Sequence, residues 1–406
     1  MILFILQINF RKKYLSTFAT VKNVGMKYMW KPMLTSFLTL SLVALLDAQE
    51  KKDSLKSEAP KPKEFKIFNK KATIGALLVG DYANSFTEEV DMNGKHNPSG
   101  ANNGFYLVYF RVNGKFAIND QLSAQILVNF ADFKSDPKNK VLEIAALKWT
   151  PSTYFNVQVG QFRPYFGLED MFPAEILKSY TWSNQYSLLG KSNWESFQIG
   201  AAVSGSLIKK KIPLRYYYTF YNGNGKNQLQ DNDNSKNHSL RLEYDVLPKL
   251  QLGVNDAATK VEGQNANMFG ADISYHTKLS KLWNAGFNSE FKYGTNVSAF
   301  TAATLAGKNI SDYKMTGFYI IPFISRTINE NNKSFVEFTC RYEYLEDLNK
   351  NGNTGRFYTP MLSYVIGDDY TSKISLVGVI SDYSKDIINT NQYSSKLLLL
   401  QYQIRF

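Results

Sequence analysis

Few residues in this sequence have the types and the spacing that enzyme chemistry requires. The chain contains three histidines, His96, His238 and His276, and one cysteine, Cys340. Enzymes that hydrolyse lipids or peptides commonly need a Ser or an Asp aligned with a His. His238 precedes Ser239, but neighbouring residues on a strand point to opposite faces. We therefore predict incidental histidines, no catalytic site and no enzyme activity.

Two groups of oxygen-bearing side chains are candidates for binding or catalysis. Glu169 and Asp170 are adjacent and could act as a pair, and Asp231, Asn232 and Asp233 could supply ligands to calcium. The favoured interpretation of the first group is surface acids at the start of a loop, and that of the second is a solvated loop. One cysteine and three histidines do not favour a zinc site. We predict no metal and no cofactor.

The charge balance argues against a nucleic-acid partner. The formal net charge is +12, but residues 1–48 hold six basic residues and one acid, which leaves +7 on residues 49–406. There is no basic run or arginine-rich helix of the kind that binds nucleic acid. Aromatic residues make up 15% of the chain, which is typical of membrane β-barrels. A mean hydropathy of −0.30 argues against a bundle of membrane helices.

The amino-terminal segment predicts export. Lys27 and Lys31 precede an apolar stretch, Met33 to Leu46, that ends close to the small residue Ala48. A positive region, an apolar core and a small residue at the cleavage site together indicate a signal peptide. We predict a signal peptide over residues 1–48, with an uncleaved anchor helix as the alternative.

Three further expectations follow from this segment. The true start could be Met26, because residues 1–25 precede a complete signal sequence. We expect cleavage immediately before Gln49. Residues 49–71 are charged and contain two prolines, so they predict a periplasmic tether.

Residues 72–406 are organised into strands. Counting back from Phe406 in twos gives a face of Ile404, Tyr402 and Leu400, which alternates with Arg405, Gln403 and Gln401. This period of two indicates a strand with one apolar and one polar face. About sixteen such runs are predicted, at 72–84, 104–117, 121–133, 140–149, 154–166, 196–208, 212–221, 237–247, 250–257, 266–276, 282–293, 313–326, 335–345, 355–367, 371–383 and 393–406.

The connections between these runs alternate in length. The segments 85–103, 167–195 and 222–236 are long, whereas Asn119-Asp120 and Pro248-Lys249 are tight turns. Short periplasmic turns that alternate with long outer loops are typical of transmembrane β-barrels. A charged face would cost roughly 2–4 kcal/mol per residue at the lipid midplane, so it must line the lumen. We predict an all-β transmembrane antiparallel barrel over 72–406, with a long third outer loop that folds inward.

One stretch resembles a known family. Residues 154–170 read YFNVQVGQFRPYFGLED, which resembles the phosphate-selective porin O and P family around a run like Gly-Gln-Phe-Lys-x-Pro-Phe-Gly-Leu-Glu. The matching residues are Gly160, Gln161, Phe162, Phe166, Gly167, Leu168 and Glu169. Arg163 stands where the family often has Lys, and Pro164 and Tyr165 depart from the pattern. The sequence Asn222-Gly223-Asn224-Gly225 is a weaker echo of the family's loop start.

The resemblance implies a trimeric sixteen-stranded porin of the Gram-negative outer membrane, with its third loop inside the pore. It does not imply phosphate selectivity, because the chain lacks a dense ladder of inward arginines. The predicted function is passive diffusion of small hydrophilic solutes, with a weak preference for anions, phosphate among them. The alternative is a surface receptor or adhesion barrel without an open pore.

Basic side chains on the lumen face are the predicted determinants of the anion preference. Alternation places six of them on the strands, and three more lie in or beside the third loop: Arg111, Lys115, Arg215, Arg241, Lys292 and Arg341, with Arg163, Lys178 and Lys191. Arg241 and Arg341 have Glu243 and Glu343 two residues away, which predicts cancellation at a distance. Arg111, Lys115 and Arg215 are then predicted to be the unpaired cations. Pro164 disturbs the alternation, so the direction of Arg163 is not predicted.

Overall fold

The computed structural model of this protein describes a barrel built from antiparallel strands. It describes residues 64–67, 70–132, 141–228, 230–231, 233–350, 352–367 and 369–406. The strands are β1 (Glu64–Ile67), β2 (Lys70–Ser85), β3 (Asn103–Ala117), β4 (Leu122–Asn129), β5 (Leu142–Ser152), β6 (Phe155–Phe162), β7 (Gln198–Ser206), β8 (Leu214–Tyr221), β9 (Asn237–Leu247), β10 (Leu250–Val261), β11 (Gln264–Lys278), β12 (Trp283–Thr295), β13 (Lys314–Asn329), β14 (Ser334–Glu346), β15 (Thr354–Ile366), β16 (Ser372–Tyr383) and β17 (Ser395–Arg405).

Within the described residues, helices occur only in the connections between strands. The two α-helices are α1 (Asn184–Lys191) and α2 (Val297–Ala302). Single 3-10 turns lie at Phe130–Asp132, Glu169–Met171, Ala174–Ile176, Ile208–Lys210 and Ile310–Asp312. In the described ranges there is no helix with the length and apolar character that a membrane crossing would need.

Strands β2 to β17 form a closed ring of sixteen. Each pairs antiparallel with the next along the chain, from β2 to β17. β17 then pairs with β2, from Leu397 opposite Ser85 to Arg405 opposite Leu77. The short strand β1 pairs with residues 70–73 of β2, whereas β17 pairs with residues 77–85 of the same strand. Closure leaves the ring without an open edge, as the sequence predicted.

The two faces of the strands separate apolar from polar side chains. On β17, Leu400, Tyr402 and Ile404 point outward and are exposed, whereas Gln401 and Gln403 point inward and are buried. β9 repeats the arrangement, with Leu240 and Tyr244 exposed and the charged residues between them inward. An apolar outer surface around a polar interior is the arrangement that a lipid bilayer requires. The predicted transmembrane barrel is confirmed.

Most connections also follow the predicted alternation. One end of the barrel carries the turns 118–121, 153–154, 207–213, 248–249, 279–282, 330–333 and 367–371, and the other carries 86–102, 130–141, 163–197, 222–236, 262–263, 296–313, 347–353 and 384–394. The two-residue connection at 262–263 is the exception. Glu262 and Gly263 both have positive φ, of 49° and 78°, which builds a tight hairpin whose twist matches the strands.

Strands β4 and β6 end earlier than predicted for local reasons. β6 ends at Phe162, four residues earlier than predicted, because Pro164 has no N–H to donate to the sheet. β4 ends at Asn129, where the chain turns into a 3-10 segment. The third loop therefore spans residues 163–197, and the predicted 167–195 is its inner part. The predicted signal peptide and most of the predicted tether lie outside the described residues, and residues 64–67 of the tether form β1.

The closing strand gives the first testable expectation. The backbone of Phe406 pairs with Ala76 in both directions, at 2.5 and 3.0 Å, and its ring is 65% exposed on the outer face. Phe406→Asp should lower the yield of folded, heat-modifiable barrel severalfold, because the closing strand loses its apolar end. Leu279→Asp is the matched control, since Leu279 is an exposed apolar residue in a turn at the same end. Equal yields of the two variants would contradict this role.

Candidate functional site: the lumen and its third loop

The third outer loop, residues 163–197, runs inside the barrel rather than over its rim. It forms hydrogen bonds with inward side chains from strands on several sides of the lumen. These are Gly167 N to Asn255 Oδ1 at 3.0 Å, Leu168 N to Glu290 Oε1 at 2.7 Å, Arg341 Nη1 to Thr181 O at 2.6 Å, Gln401 Nε2 to Tyr180 O at 3.1 Å and Gln403 Nε2 to Glu175 O at 3.1 Å. The predicted inward folding of the loop is therefore present.

Local sequence explains how the loop enters the lumen. Gly167 has a φ of 84°, and a Cβ atom there would lie 2.5 Å from Glu290 Oε1, so only glycine fits. After the loop has crossed the lumen, Ser183 caps the start of helix α1. Its side chain accepts a hydrogen bond from Tyr186 N at 3.2 Å, which satisfies one of the free N–H groups at the helix start.

The end of the loop is held by a buried charge cluster. Lys292 on β12 forms an ion pair with Glu195 of the loop and lies 3.3 Å from Glu290 on its own strand. All three side chains are completely buried. Trp194, which is also fully buried, donates from Nε1 to Thr295 O at 2.9 Å. Burial raises the pKa of the Glu195 carboxyl well above its usual range, and the ammonium of Lys292 opposes this shift.

The structure corrects the prediction that Glu169 and Asp170 are surface acids. Both are buried at the base of the loop. Glu169 accepts hydrogen bonds from Ser183 N, at 2.9 Å, and from Ser183 Oγ, so it ties the descending and returning arms of the loop together. Asp170 accepts from Tyr186 Oη at 3.1 Å. Burial raises the pKa of both carboxyls. Their position indicates a structural role in holding the loop.

Two of the predicted cations are paired as expected. Arg241 Nε lies 3.0 Å from Glu243 Oε1, and Arg341 Nε lies 2.5 Å from Glu343 Oε1. Arg241 also forms a bidentate pair with Asp272, at 2.6 and 3.0 Å. Both arginines are almost fully buried, so they stabilise the wall of the lumen and offer little charge to a passing solute.

The prediction that Arg111 and Arg215 are unpaired is wrong. Arg111 Nε lies 2.7 Å from Glu143 Oε2, and Arg215 Nη2 lies 2.8 Å from Asp245 Oδ2. Glu143 was not recognised because simple alternation places it on the same face as the exposed Leu147. The register between β4 and β5 shifts beside Glu143, and this bulge turns its carboxylate inward.

The remaining predicted cations occupy two kinds of environment. Lys178 Nζ lies 2.6 Å from Glu337 Oε2, and Arg163 donates to Phe172 O at 2.8 Å with its guanidinium 5.1 Å from the ring of Trp182. The residues that the structure brings together around loop 3 are thus Arg163, Lys178, Lys292 and Arg341. Lys115 on β3 and Lys191 at the end of helix α1 are both exposed, and neither has an acidic partner within 4 Å in the described ranges.

The loop covers one side of the lumen more completely than the other. On β12 to β17, the inward residues Glu290, Glu337 and Gln401 are at most 1% exposed. On β3 to β6, the inward residues Gln125 and Lys148 are only half-buried. Arg111, Glu143 and Gln161, on the same strands, are buried, so this wall is open to water only around residues such as Gln125 and Lys148.

The other candidates from the sequence lie away from this region or are satisfied locally. His238 faces outward and bonds to Tyr218 Oη at 2.7 Å, while Ser239 points inward, as alternation predicts. Among the described residues, no group of three or more His, Cys, Asp or Glu side chains is arranged to hold a metal ion. Asp231 pairs with Lys236, and Cys340 is a free thiol. His276 bonds to Asn288 Oδ1 at 3.1 Å.

Comparison with known proteins identifies the fold. No protein-family model matches the sequence, and no curated protein matches it. The chain is similar to the outer membrane channel DcaP of Acinetobacter baumannii, with a TM-score of 0.54 and 10% identity over 83% of this chain and 97% of the other. It is also similar to OmpF of Salmonella typhi, in a complex with daunomycin, with a TM-score of 0.54 and 10% identity over 85% and 100% of the two chains.

A third similar structure is the anion-selective porin from Comamonas acidovorans, with a TM-score of 0.51 and 10% identity over 83% and 100% of the two chains. These identities establish likeness of fold, and the fold is that of outer-membrane porins. The apolar outer face and the closed ring place the barrel in the outer membrane of a Gram-negative bacterium. The resemblance to the phosphate-selective porin O and P family is not confirmed, since no family model matches.

Proposed function

We propose that this protein is an outer-membrane porin through which small hydrophilic solutes diffuse, without catalysis or a cofactor. The observation that carries the proposal is a sixteen-stranded ring with a polar interior, narrowed by a long loop that is bonded to the inner wall. A barrel of this size encloses an aqueous channel, whereas a barrel of about eight strands is filled by its own side chains. The resemblance at residues 154–170 supports assembly as a homotrimer in outer-membrane lipid.

The test is conductance in a planar lipid bilayer. Purified, heat-modifiable protein should produce discrete current steps in potassium chloride, because inward residues such as Lys115, Gln125 and Lys148 remain accessible to water. A barrel that inserts into vesicles but produces no steps would contradict the porin assignment. That result would favour the second candidate, which is a surface receptor or adhesion barrel. The observation that supports this candidate is the burial of inward residues on β12 to β17 beneath loop 3.

We further propose a weak preference for anions over cations. Because Arg111 and Arg215 have acidic partners, the support comes from Lys115 and Lys191, which are exposed without such partners in the described part of the chain. The excess of +7 over residues 49–406 acts in the same direction. Charged groups that line a narrow lumen bias the local concentration of ions of the opposite sign. Phosphate is one small anion that such a pore would admit.

The ion preference gives a second expectation. The double variant Lys115→Gln, Lys191→Gln should reduce the chloride-to-potassium permeability ratio by roughly two- to fivefold at low salt, since one charge at 4 Å in water contributes about 1 kcal/mol. The measurement is the reversal potential across a salt gradient. Lys281→Gln is the control, because Lys281 lies in an exposed turn and pairs with Glu330. A wild-type pore that prefers potassium, or a double variant without a shift, would rule this assignment out.

A further inference from the structure

A cavity of about 270 Å³ lies between the third loop and the wall of the barrel, towards the end that carries the short turns. The loop contributes the segment 172–178, strands β11 to β13 contribute the wall, and the turn 367–371 contributes Tyr370. None of the roles described above uses this cavity. A solute that diffuses through the lumen would meet it on the periplasmic side of the loop.

Most of the surface of the cavity is apolar. Phe172, Ile176 and Leu177 line it from the loop, and Ile321 lines it from β13. An engineered protein cavity of about 150 Å³ holds a benzene molecule, so this volume accommodates one aromatic ring and a small substituent. A sugar or an inorganic ion would leave the apolar lining without a partner, whereas a ring would bury it favourably.

The polar part of the lining offers hydrogen-bond donors on one side. Asn288 Oδ1 accepts from Ser274 Oγ at 2.8 Å and is 3.1 Å from His276 Nε2. Its amide nitrogen makes no hydrogen bond to any described residue, so it can donate to a ligand. Lys178 donates to Glu337 Oε2, at 2.6 Å, and to Tyr370 Oη, which uses two of its three N–H bonds. A ligand oxygen would satisfy these spare donors.

The charges around the cavity favour a neutral ligand. The ammonium of Lys178 is already matched by the carboxylate of Glu337. Glu169 lines the same cavity, so an anionic ligand would lie beside a carboxyl group. Leaving a charge unmatched at a largely apolar site is unfavourable. A hydroxyl or carbonyl substituent avoids this cost.

We propose that the cavity is a binding site for a neutral, single-ring aromatic molecule with one hydroxyl or carbonyl group, such as a simple phenol. This inference rests on the proposed porin function in one respect, which is that the channel would bring such molecules to the cavity as solutes. Binding itself does not require transport. It can therefore be measured on the folded barrel in detergent, separately from conductance.

The experiment is isothermal titration calorimetry of the full folded chain with phenol and with benzoate. Phenol should bind saturably with one site per chain, and benzoate should bind at least about tenfold more weakly because its charge is unmatched. Ile321→Trp should weaken phenol binding by at least about tenfold, since the larger side chain fills the cavity. Ile324→Trp is the matched control, because Ile324 lies on the same strand and faces outward.

Leu177→Trp fills the cavity from the loop, and it replaces Ile321→Trp if that variant does not fold. The proposal is overturned if phenol shows no saturable heat, if it binds the cavity-filling variant as tightly as the wild type, or if benzoate binds equally well. Current steps without phenol binding would refute this inference and leave the porin function standing. Phenol binding without current steps would support this inference and contradict the porin function.

Discussion

Lys292→Met should lower the free energy of unfolding of the barrel by about 3–5 kcal/mol, because it leaves two buried carboxylates without their cation. Glu195 and Glu290 are both completely buried beside Lys292. Since Glu195 closes the third loop onto β12, the loop should also loosen, and single-channel conductance should rise. The measurements are urea unfolding in lipid vesicles, followed by tryptophan fluorescence, and conductance in a planar bilayer.

Two further variants make this prediction specific. Lys281→Met removes the cation of an ion pair with Glu330 whose side chains are 81% and 55% exposed, so its effect should stay below about 1 kcal/mol. The double variant Lys292→Met, Glu195→Gln should recover part of the lost stability, because it removes one of the stranded charges. Equal destabilisation by Lys281→Met and Lys292→Met would show that burial of the cluster is not what matters.

The pH dependence of the same variant has a definite sign. Burial raises the pKa of Glu195 in the folded state, so the folded state binds a proton that an unfolded carboxyl, with a pKa of about 4.3, has released. Stability therefore falls as the pH rises above that value. Without Lys292 to oppose the shift, the fall should continue to higher pH in the variant. Lys292→Met should be closest to the wild type in acid and furthest from it in alkali.

The ring of strands could be predicted from the sequence because lipid and water impose opposite requirements on alternate residues. In β17 the apolar residues Leu400, Tyr402 and Ile404 face the bilayer, while Gln401 and Gln403 face inward. A one-residue error in register would expose every polar side chain to lipid, so the pattern is strong in each strand. Loop length adds a second, independent signal, since long and short connections collect at opposite ends.

The positions that the sequence did not predict depend on irregular backbone or on distant contacts. Glu143 faces inward because of a bulge, and a strict period of two assigns it to the lipid face. The hairpin at Glu262-Gly263 joins two strands that run longer than their apolar stretches indicate. A cue was present, since a carboxylate such as Glu143 in an otherwise apolar outward row is costly in lipid. That cost could have identified the bulge.

The path of the third loop depends on residues far apart in the chain. Glu169 is buried because it meets Ser183 of the same loop, and Leu168 bonds to Glu290, which is 122 positions away. Nothing in the local sequence distinguishes such buried acids from the surface acids of an ordinary loop. The pairing of Arg111 with Glu143 likewise joins two strands across an intervening one. Charge balance in the lumen is therefore a property of the closed barrel, and local sequence alone does not reveal it.

Removal of the third loop should have the largest effect on transport. Phe162 and Gln198 lie opposite each other where β6 meets β7, so a short turn can replace residues 163–197 without straining the ring. The loop now covers Glu290, Glu337 and Gln401 on the inner wall. Its loss should expose that wall to water and increase single-channel conductance severalfold, because flow through a pore is limited by its narrowest section.

The matched comparison is Lys178→Met, which keeps the loop but removes its ion pair with Glu337. This variant should increase conductance less than the deletion does, and it should make the current noisier, since one attachment of the loop is lost while the bonds to Gln401 and Gln403 remain. Heat-modifiability on gels establishes that both variants are folded. A folded deletion variant whose conductance equals that of the wild type would show that residues 163–197 do not form the constriction, and the narrowest section would then have to be sought along β3 to β6.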